Sequence, residues 1–512
     1  MHRGSLISAL VASTVLVACA TPGPKEALEP IEAELTSWAA VVGEVPSAPV
    51  TRNWLADLQD RNAEVIVPEA LLNNYNIQVL ASRAAAARNQ AQAVRSGLLP
   101  QAGGSLSGSR SEGPQFFGPQ QFDLQVTSLS LGANVSWEPD IWGRLTDATR
   151  AAYLDANAQE LDFAAARLSL AADAARSYYA VIASRLQRQL AERDVETGQA
   201  NLNIIERRYQ RGISTSLDLR LARSSLATSS AALQLRQQQE LEARRQLEVL
   251  LGRYPKAEID GAANLPALAP LAGSSALSVG SPASLLERRP DIVAAERRLK
   301  AAGLRVSEAR KAFLPSISLQ AGVSENAQYL GERPDGSGGT IPADEVDISD
   351  LFDFDLVTKR LVANLTQPIF QGGRLIANER QAKNNARAAL FTYGQTALTA
   401  WREVEDAIAA ESLLMTREEA LATAAEEAAA AEDLTERRYL AGTTNIFDLI
   451  NAQQRRIQAE GQLIEAKRAR LNNRVNLYLA LGAPYVLEGE ETPLTTAAIP
   501  SAKIRNGQGD LL

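Results

Sequence analysis

Arg207-Arg208-Tyr209-x-x-Gly212-x-x-x-x-Leu217-Asp218-Leu219 recurs 230 residues later as Arg437-Arg438-Tyr439-x-x-Gly442-x-x-x-x-Phe447-Asp448-Leu449. The same offset relates Gly143-Arg144-Leu145 to Gly373-Arg374-Leu375 and Leu251-Gly252 to Leu481-Gly482. Upstream, Asn76-Ile77 and Leu99-Pro100 correspond to Asp291-Ile292 and Leu314-Pro315 at an offset of 215, so the second copy carries about fifteen extra residues between Pro315 and Gly373. Landmarks that share one register mark an internal duplication, each copy supplying one structural unit.

Between Gly143 and Arg207, and again between Gly373 and Arg437, lie 64 residues without proline and almost without glycine. At about 1.5 Å per residue this predicts roughly 96 Å of helix, too long for an ordinary globular domain. Leu154, Leu161, Leu168, Ala175 and Ile182 recur every seven residues beside a row of Ala151, Ala158, Ala165 and Ala172. Such narrow seams suit close side-by-side helix packing. Gly212 and Gly442 end these helices and predict positive φ at a C-cap. A return helix then runs to Gly252 or Gly482, with Asp218 or Asp448 in its first turn, where a carboxylate favours the helix dipole.

Each copy opens with a helical segment, 68–98 or 282–313, that starts at a proline and stops at Leu-Pro. Period-two alternation follows. Leu129, Leu131, Ala133, Val135 and Trp137 alternate with Ser130, Gly132, Asn134 and Ser136; Ile317, Leu319, Ala321 and Val323 alternate with Ser318, Gln320 and Gly322; Leu361, Ala363 and Leu365 flank Val362 and Asn364. These predict strands with one greasy and one wet face, two per copy. The Gly/Pro/Ser-rich stretches 110–121 and 324–350, the second acidic, predict hairpin loops. Four strands cannot close a barrel, and closure without exposed edges needs at least about eight, so this pattern demands oligomerisation. The organisation expected is a signal at 1–18, a linker at 19–67, repeat one at 68–253, a connecting linker at 254–281, repeat two at 282–482 and a tail at 483–512.

The 512 residues are 46% hydrophobic, 22% charged and 5% aromatic, the composition of a folded protein. The one histidine, His2, and the one cysteine, Cys19, both fall in the N-terminal stretch. The body therefore has no Ser-His-Asp or Cys-His machinery, no His/Cys metal site and no disulfide, and the chain reads as a non-enzyme without cofactor or metal. A net charge of −8 gives nucleic acid no basic surface.

Met1-His2-Arg3, an apolar stretch from Leu6 to Val17 and Leu16-Val17-Ala18-Cys19 form a cleavable export signal too short to span a bilayer. Its ending resembles the lipobox of bacterial lipoproteins, which implies fatty acylation of Cys19; an ordinary secretory signal with an incidental cysteine is the alternative. Residue 20 is alanine, not the aspartate that resembles an inner-membrane retention signal, and the resemblance thus points to the outer membrane. No later segment offers about 18–20 consecutive apolar residues, so a membrane could be crossed only as a closed β-barrel.

The run Leu286-Glu287-Arg288-Arg289-Pro290-Asp291-Ile292, Phe313-Leu314-Pro315-Ser316-Ile317, Pro368-Ile369-Phe370-x-Gly372-Gly373-Arg374 and the motif around Gly442, together with the lipobox and the duplicated unit, resemble the TolC superfamily. More closely they resemble its NodT-type lipoprotein branch, the outer membrane factors of tripartite efflux pumps. The resemblance covers nearly the whole mature chain. It implies an α+β membrane protein and a homotrimer: a twelve-stranded outer membrane barrel, four strands per chain, continuous with a twelve-helix periplasmic α-barrel. It implies further a periplasmic adaptor and an inner membrane pump of the RND type as partners, in a Gram-negative cell.

The resemblance places the glycine turns at the periplasmic mouth. Asp448 then corresponds to an acidic ring around the closed aperture, which would concentrate cations, and Asn451 to a second ring that is uncharged here. Asp218 is its counterpart in the first copy. Tyr209 and Tyr439 could bond across neighbouring hairpins or pack on their own helix neighbours; Thr444 stands where the best-known relative has an arginine, so that a latch uses Arg211 or Arg220 instead or is weaker. Gly212, Ile213, Ser214, Gly442, Thr443 and Thr444 are the expected adaptor contacts. Trp137, Trp142 and Phe370, at strand-to-helix junctions, either anchor the barrel at the lipid interface or pack beneath it. Two rival readings are a periplasmic coiled-coil structural or adaptor lipoprotein, which has no use for two-faced strands, and a carboxylate-based secreted enzyme, for which no convergent acids are present.

Overall fold

A computed structural model describes residues 38–39, 54–117, 120–270, 281–335, 337, 339–352 and 357–483. The signal region with Cys19, most of the first linker and the tail beyond 483 lie outside the described residues. The chain divides into two compact units.

The first unit spans Ala87–Ala156 and Arg298–Ala389. Its centre is an antiparallel sheet of β1 (Gln101–Phe117), β2 (Gln120–Trp137), β3 (Ser316–Leu330) and β4 (Thr358–Thr366), in that spatial order. The ladder between β1 and β2 runs unbroken from Gln101 opposite Ser136 to Phe117 opposite Gln120. Residues 110–117 and 120–121 are therefore strand, not the long loop that their Gly, Pro and Ser content predicts. Pro114 is tolerated because β1 is an edge, where a missing N–H costs no ladder bond. Leu106, Leu131, Val135, Ala321, Val323 and Leu361 share one face by register, while Ser105, Ser107, Ser130, Gly132, Ser324 and Asn326 share the other. Beyond β3 the second predicted loop is only partly loop. Strand pairing continues to Leu330, a two-residue ladder joins Arg333–Pro334 to Thr340–Ile341, and a 3₁₀ turn at Ile348–Phe352 packs on β2 and β3.

At the helix side of this sheet, the Trp137 indole donates to the Leu98 carbonyl at 3.0 Å and the Trp142 indole to the Pro315 carbonyl at 2.6 Å. Both rings thus tie segments together and remain partly exposed, whereas Phe370 is 86% exposed. Asp140 accepts from the Leu145 and Thr146 amides and the Thr146 hydroxyl, capping the helix that follows.

The second unit takes the described residues up to Ala86, within Asn157–Arg297 and from Leu390 to Ala483. Among the described residues the helices are α1 (Ala63–Asn73), α2 (Tyr75–Ser96), α3 (Arg144–Gln210), α4 (Ser216–Leu250), α5 (Pro290–Lys311), α6 (Arg374–Leu440) and α7 (Ile446–Ala480), with a four-residue turn of helix, Leu285–Arg288, before α5. α3 and α6 are 67 residues each, about 100 Å of continuous helix. Leu154, Leu161, Leu168, Ala175 and Ile182 are all buried, as are Ala151, Ala158 and Ala172 in the parallel row, while Ala165 is half-buried.

The segments 68–98 and 282–313 are each broken where one helix is expected. The first begins before Pro68, at Ala63, and stops at Asn74, whose backbone turns extended and whose side chain accepts from the amides of Asn76 and Ile77 at 2.9 and 3.3 Å to start α2. The second breaks at Arg289 (ψ 121°), because a residue before proline avoids the α region. Arg289 uses the break: its guanidinium binds Asp291 at 2.7 and 3.0 Å, Glu403 at 2.7 Å and the Ala480 carbonyl at 3.1 Å.

The first part of the connecting linker is docked on the hairpin before it. Buried Glu248 accepts from the amides of Ala257, Glu258 and Ile259 at 2.7, 2.6 and 3.3 Å. Burial alone would raise its carboxyl, but these amides outweigh it and hold it below the usual range. On the other hairpin, buried Glu411 accepts from Arg474 at 2.6 Å, Asn473 at 3.2 Å and Arg470 at 3.3 Å.

Candidate functional site

The two hairpin turns share one construction. Gly212 (φ 71°) and Gly442 (φ 78°) take the left-handed conformation that the cap reading requires. The Ile213 amide bonds the Arg208 carbonyl at 2.9 Å and Gly212 the Tyr209 carbonyl at 2.9 Å; Thr443 and Gly442 repeat the pattern onto Arg438 and Tyr439 at 2.9 and 3.0 Å. This double bond pattern closes the carbonyl end of each long helix. A Cβ on either glycine would meet nothing within 4 Å, so only φ demands glycine here.

The return helices start differently. In α4, Thr215 and Asp218 form a reciprocal capping box at 2.8 and 3.2 Å. Asp218 is thus committed to its own helix start. In α7, Asn445 takes the capping role, accepting from the Asp448 amide at 2.9 Å, and the Asp448 carboxylate is left with one contact, from the Thr444 hydroxyl at 2.6 Å. Asp448 is exposed and Asn451, one turn on, half-buried. Thr444 therefore orients Asp448.

The two tyrosines also part ways. Tyr209 is 44% exposed, whereas Tyr439 is 6% exposed and packs with Leu202, Ile205, Ala222, Ile446 and Leu449. This cluster joins both hairpins of the chain just behind the turns. The Arg208 guanidinium stands 5.1 Å from the centre of the Tyr439 ring and donates to the Tyr439 carbonyl at 3.2 Å. Burial pushes the Tyr439 hydroxyl up, against the opposing pull of Arg208 and a hydrogen bond with Ser214. Within the chain, Arg208 thus adds a polar tie to the apolar cluster between the hairpins, while Arg211 and Arg220 are both exposed. Arg208 lies inside the repeated motif, but nothing in its spacing separates it from Arg207. Of the adaptor-contact candidates, Gly212, Gly442, Thr443 and Ile213, 61% exposed, stand open, while Ser214 and Thr444 are half-buried.

Charged pairs brace the hairpins further along. Arg223 meets Glu206 at 2.9 Å between α3 and α4, and Arg456 bridges Glu432 and Glu460 between α6 and α7. Among the described residues no group of acidic, His or Cys side chains is placed to hold a metal ion, and no helix is long and apolar enough to cross a membrane.

The family profile "Outer membrane efflux protein" matches residues 66–253 and 282–483. The pyoverdine export outer membrane protein OpmQ of Pseudomonas putida is 30% identical over 476 residues, covering 92% of this chain and 95% of that protein. The outer membrane protein OprJ of Pseudomonas aeruginosa is 30% identical, covering 93% and 95%. Among solved structures, the outer-membrane channel OprN superposes with a TM-score of 0.75 at 25% identity over 88% of this chain and 96% of its own. The Campylobacter jejuni CmeC outer membrane channel gives 0.78 at 23% identity over 90% and 94%, a likeness of fold. With its helix-rich, TolC-like channel fold, the chain belongs to the outer membrane efflux protein family.

Proposed function

We propose that three copies of this efflux protein form the exit duct of a tripartite pump, their four-stranded sheets closing a twelve-stranded outer membrane barrel and their long helices a twelve-helix periplasmic tunnel. The observation that carries this is the sheet itself. It has one apolar and one small polar face, and among the described residues β1 and β4 pair with no further strand. Such open edges call for partners, and an apolar exterior for lipid.

In this reading the apolar face meets the bilayer, the Ser/Gly face lines the lumen, and Trp137, Trp142 and Phe370 lie near the inner interface. The duct is passive. Its periplasmic aperture is ringed by Asp448 and Asn451 and held shut by the tie between Arg208 and Tyr439; docking of an adaptor on Gly212, Ile213, Ser214, Gly442, Thr443 and Thr444 opens it toward an inner membrane pump of the RND type. Acylation of Cys19 adds a lipid anchor. A coiled-coil structural lipoprotein would have the anchor and helices but no use for the sheet.

Single-channel recording in planar bilayers tests the proposal. Discrete cation-favouring openings that enlarge or lose selectivity with Asp448→Ala are expected. Channels indifferent to that change remove Asp448 from the aperture, and no conductance from folded, trimeric protein removes the duct.

A further inference from the structure

The chain after β3 does not simply stand off the sheet as a hairpin loop. The Tyr329 hydroxyl shares its one proton between the Asp347 carbonyl at 2.5 Å and the Asp350 carboxylate at 2.8 Å, while the Leu330 amide donates to the Asp344 carboxylate and the Asp344 amide to the Leu330 carbonyl, both at 2.8 Å. These bonds fold residues 344–352 back as a strap, whose Leu351 is 1% exposed. The face it covers is the apolar one. Tyr329 follows Val323 by six residues along an unbroken ladder, so both point to the same side. The apolar-face residues Leu129 and Leu131, in register with Ala327 and Glu325, are half-buried, while Val135 and Val323 in the rows nearer the helices are exposed.

The strap's other side is apolar too. Val346 (53%), Ile348 (64%) and Phe352 (61%) are exposed around buried Leu351. From Ile317 to Ala327 the strand advances about 34 Å, or about 26 Å along the membrane normal at a tilt near 40°. A lipid-facing band is about 25 Å tall, which puts the strap at its outer rim. Resting on the barrel reading above, we infer that this strap is a lipid-binding element, in which Val346, Ile348 and Phe352 enter the acyl layer of the outer leaflet and extend the apolar surface where the sheet turns polar at Thr127 and Arg110. The occupant follows from continuity. The patch adjoins a face already lipid-facing in that reading, and in the free chain three large apolar side chains otherwise stand in water.

Nitroxide labelling in lipid vesicles tests this. Cys19 is the only cysteine, so each variant adds one thiol and the unsubstituted protein reports the background. Ile348→Cys and Phe352→Cys are compared with Leu361→Cys, on the apolar face and 82% exposed, and with Ser337→Cys as the aqueous reference. Several-fold greater access to oxygen than to a nickel chelate at 348 and 352, matching 361, is the expected result. Chelate access at 348 and 352 like that at 337, with 361 still lipid-exposed, overturns the strap alone. Chelate access at 361 overturns the barrel reading and the inference with it.

Discussion

Arg208→Ala should loosen the tips of the two hairpins from each other. The guanidinium lies 5.1 Å from the centre of a largely buried ring, a cation–π contact of about 1 kcal/mol. Its bond to the Tyr439 carbonyl, at 3.2 Å from a charged donor, adds about 1.5 kcal/mol. Losing about 2.5 kcal/mol per chain moves the balance between joined and parted tips about 60-fold, since 1.4 kcal/mol is tenfold. Arg208→Lys keeps the charge but loses the planar face, so an intermediate shift is expected. The assay is open probability in planar bilayers, with leakage of a large hydrophilic antibiotic into cells as the parallel readout. Arg211→Ala and Arg220→Ala are controls, because both side chains are exposed. If Arg208→Ala keeps the unsubstituted protein's open probability while Arg211→Ala or Arg220→Ala raises it, the assignment of the tie is wrong.

Other expectations follow from burial and backbone geometry. Glu411→Leu strips the shared carboxylate from Arg470 and Arg474, whose side chains are 7% and 3% exposed, and should cost about 3–5 kcal/mol in denaturant or thermal unfolding. Gly252→Ala combines φ 70° with a Cβ that would lie 2.6 Å from the Asn73 carbonyl, whereas Gly442→Ala meets only the φ cost of about 1–2 kcal/mol; the first should lower the melting temperature clearly more than the second. Burial raises the Glu432 carboxyl despite Arg456. A raised acid contributes stability that is complete below its ordinary value of 4.5 and lost as pH rises through the folded value. The stability advantage of the unsubstituted protein over Glu432→Gln should therefore shrink from pH 4 to about pH 7 in thermal unfolding, and a growing advantage would refute it.

The regular parts of the molecule were legible because their cause is local. A 64-residue stretch without proline has no reason to stop being helix, and the glycines at 212 and 442 announce left-handed caps. The heptad rows identify buried faces because burial follows helix period whatever the partner. Composition misled where topology decides. Residues 110–117 and 120–121 read as loop from their Gly, Ser and Pro, and become strand because a neighbour in the chain pairs with each of them. The break at Asn74 hides behind good helix formers and is visible only through the asparagine's cap. At the tips, two copies of one motif made Tyr209 and Tyr439 look equivalent. Only tertiary contact separates them, burying one beneath Arg208 and leaving the other in solvent.

The unequal lengths of the outer strands bear on how finished channels coexist. β1 has 17 residues and leaves the helix side of the sheet, while β4 has nine and ends there. In the proposed ring, joined β4 to β1, the far half of β1 would project beyond its neighbour and keep a free margin above the membrane. Pro114 sits on that margin and interrupts its row of donors. In the proposed assembly such a margin would offer hydrogen-bond donors to a neighbouring channel, and a proline on it is expected to disfavour edge-to-edge pairing.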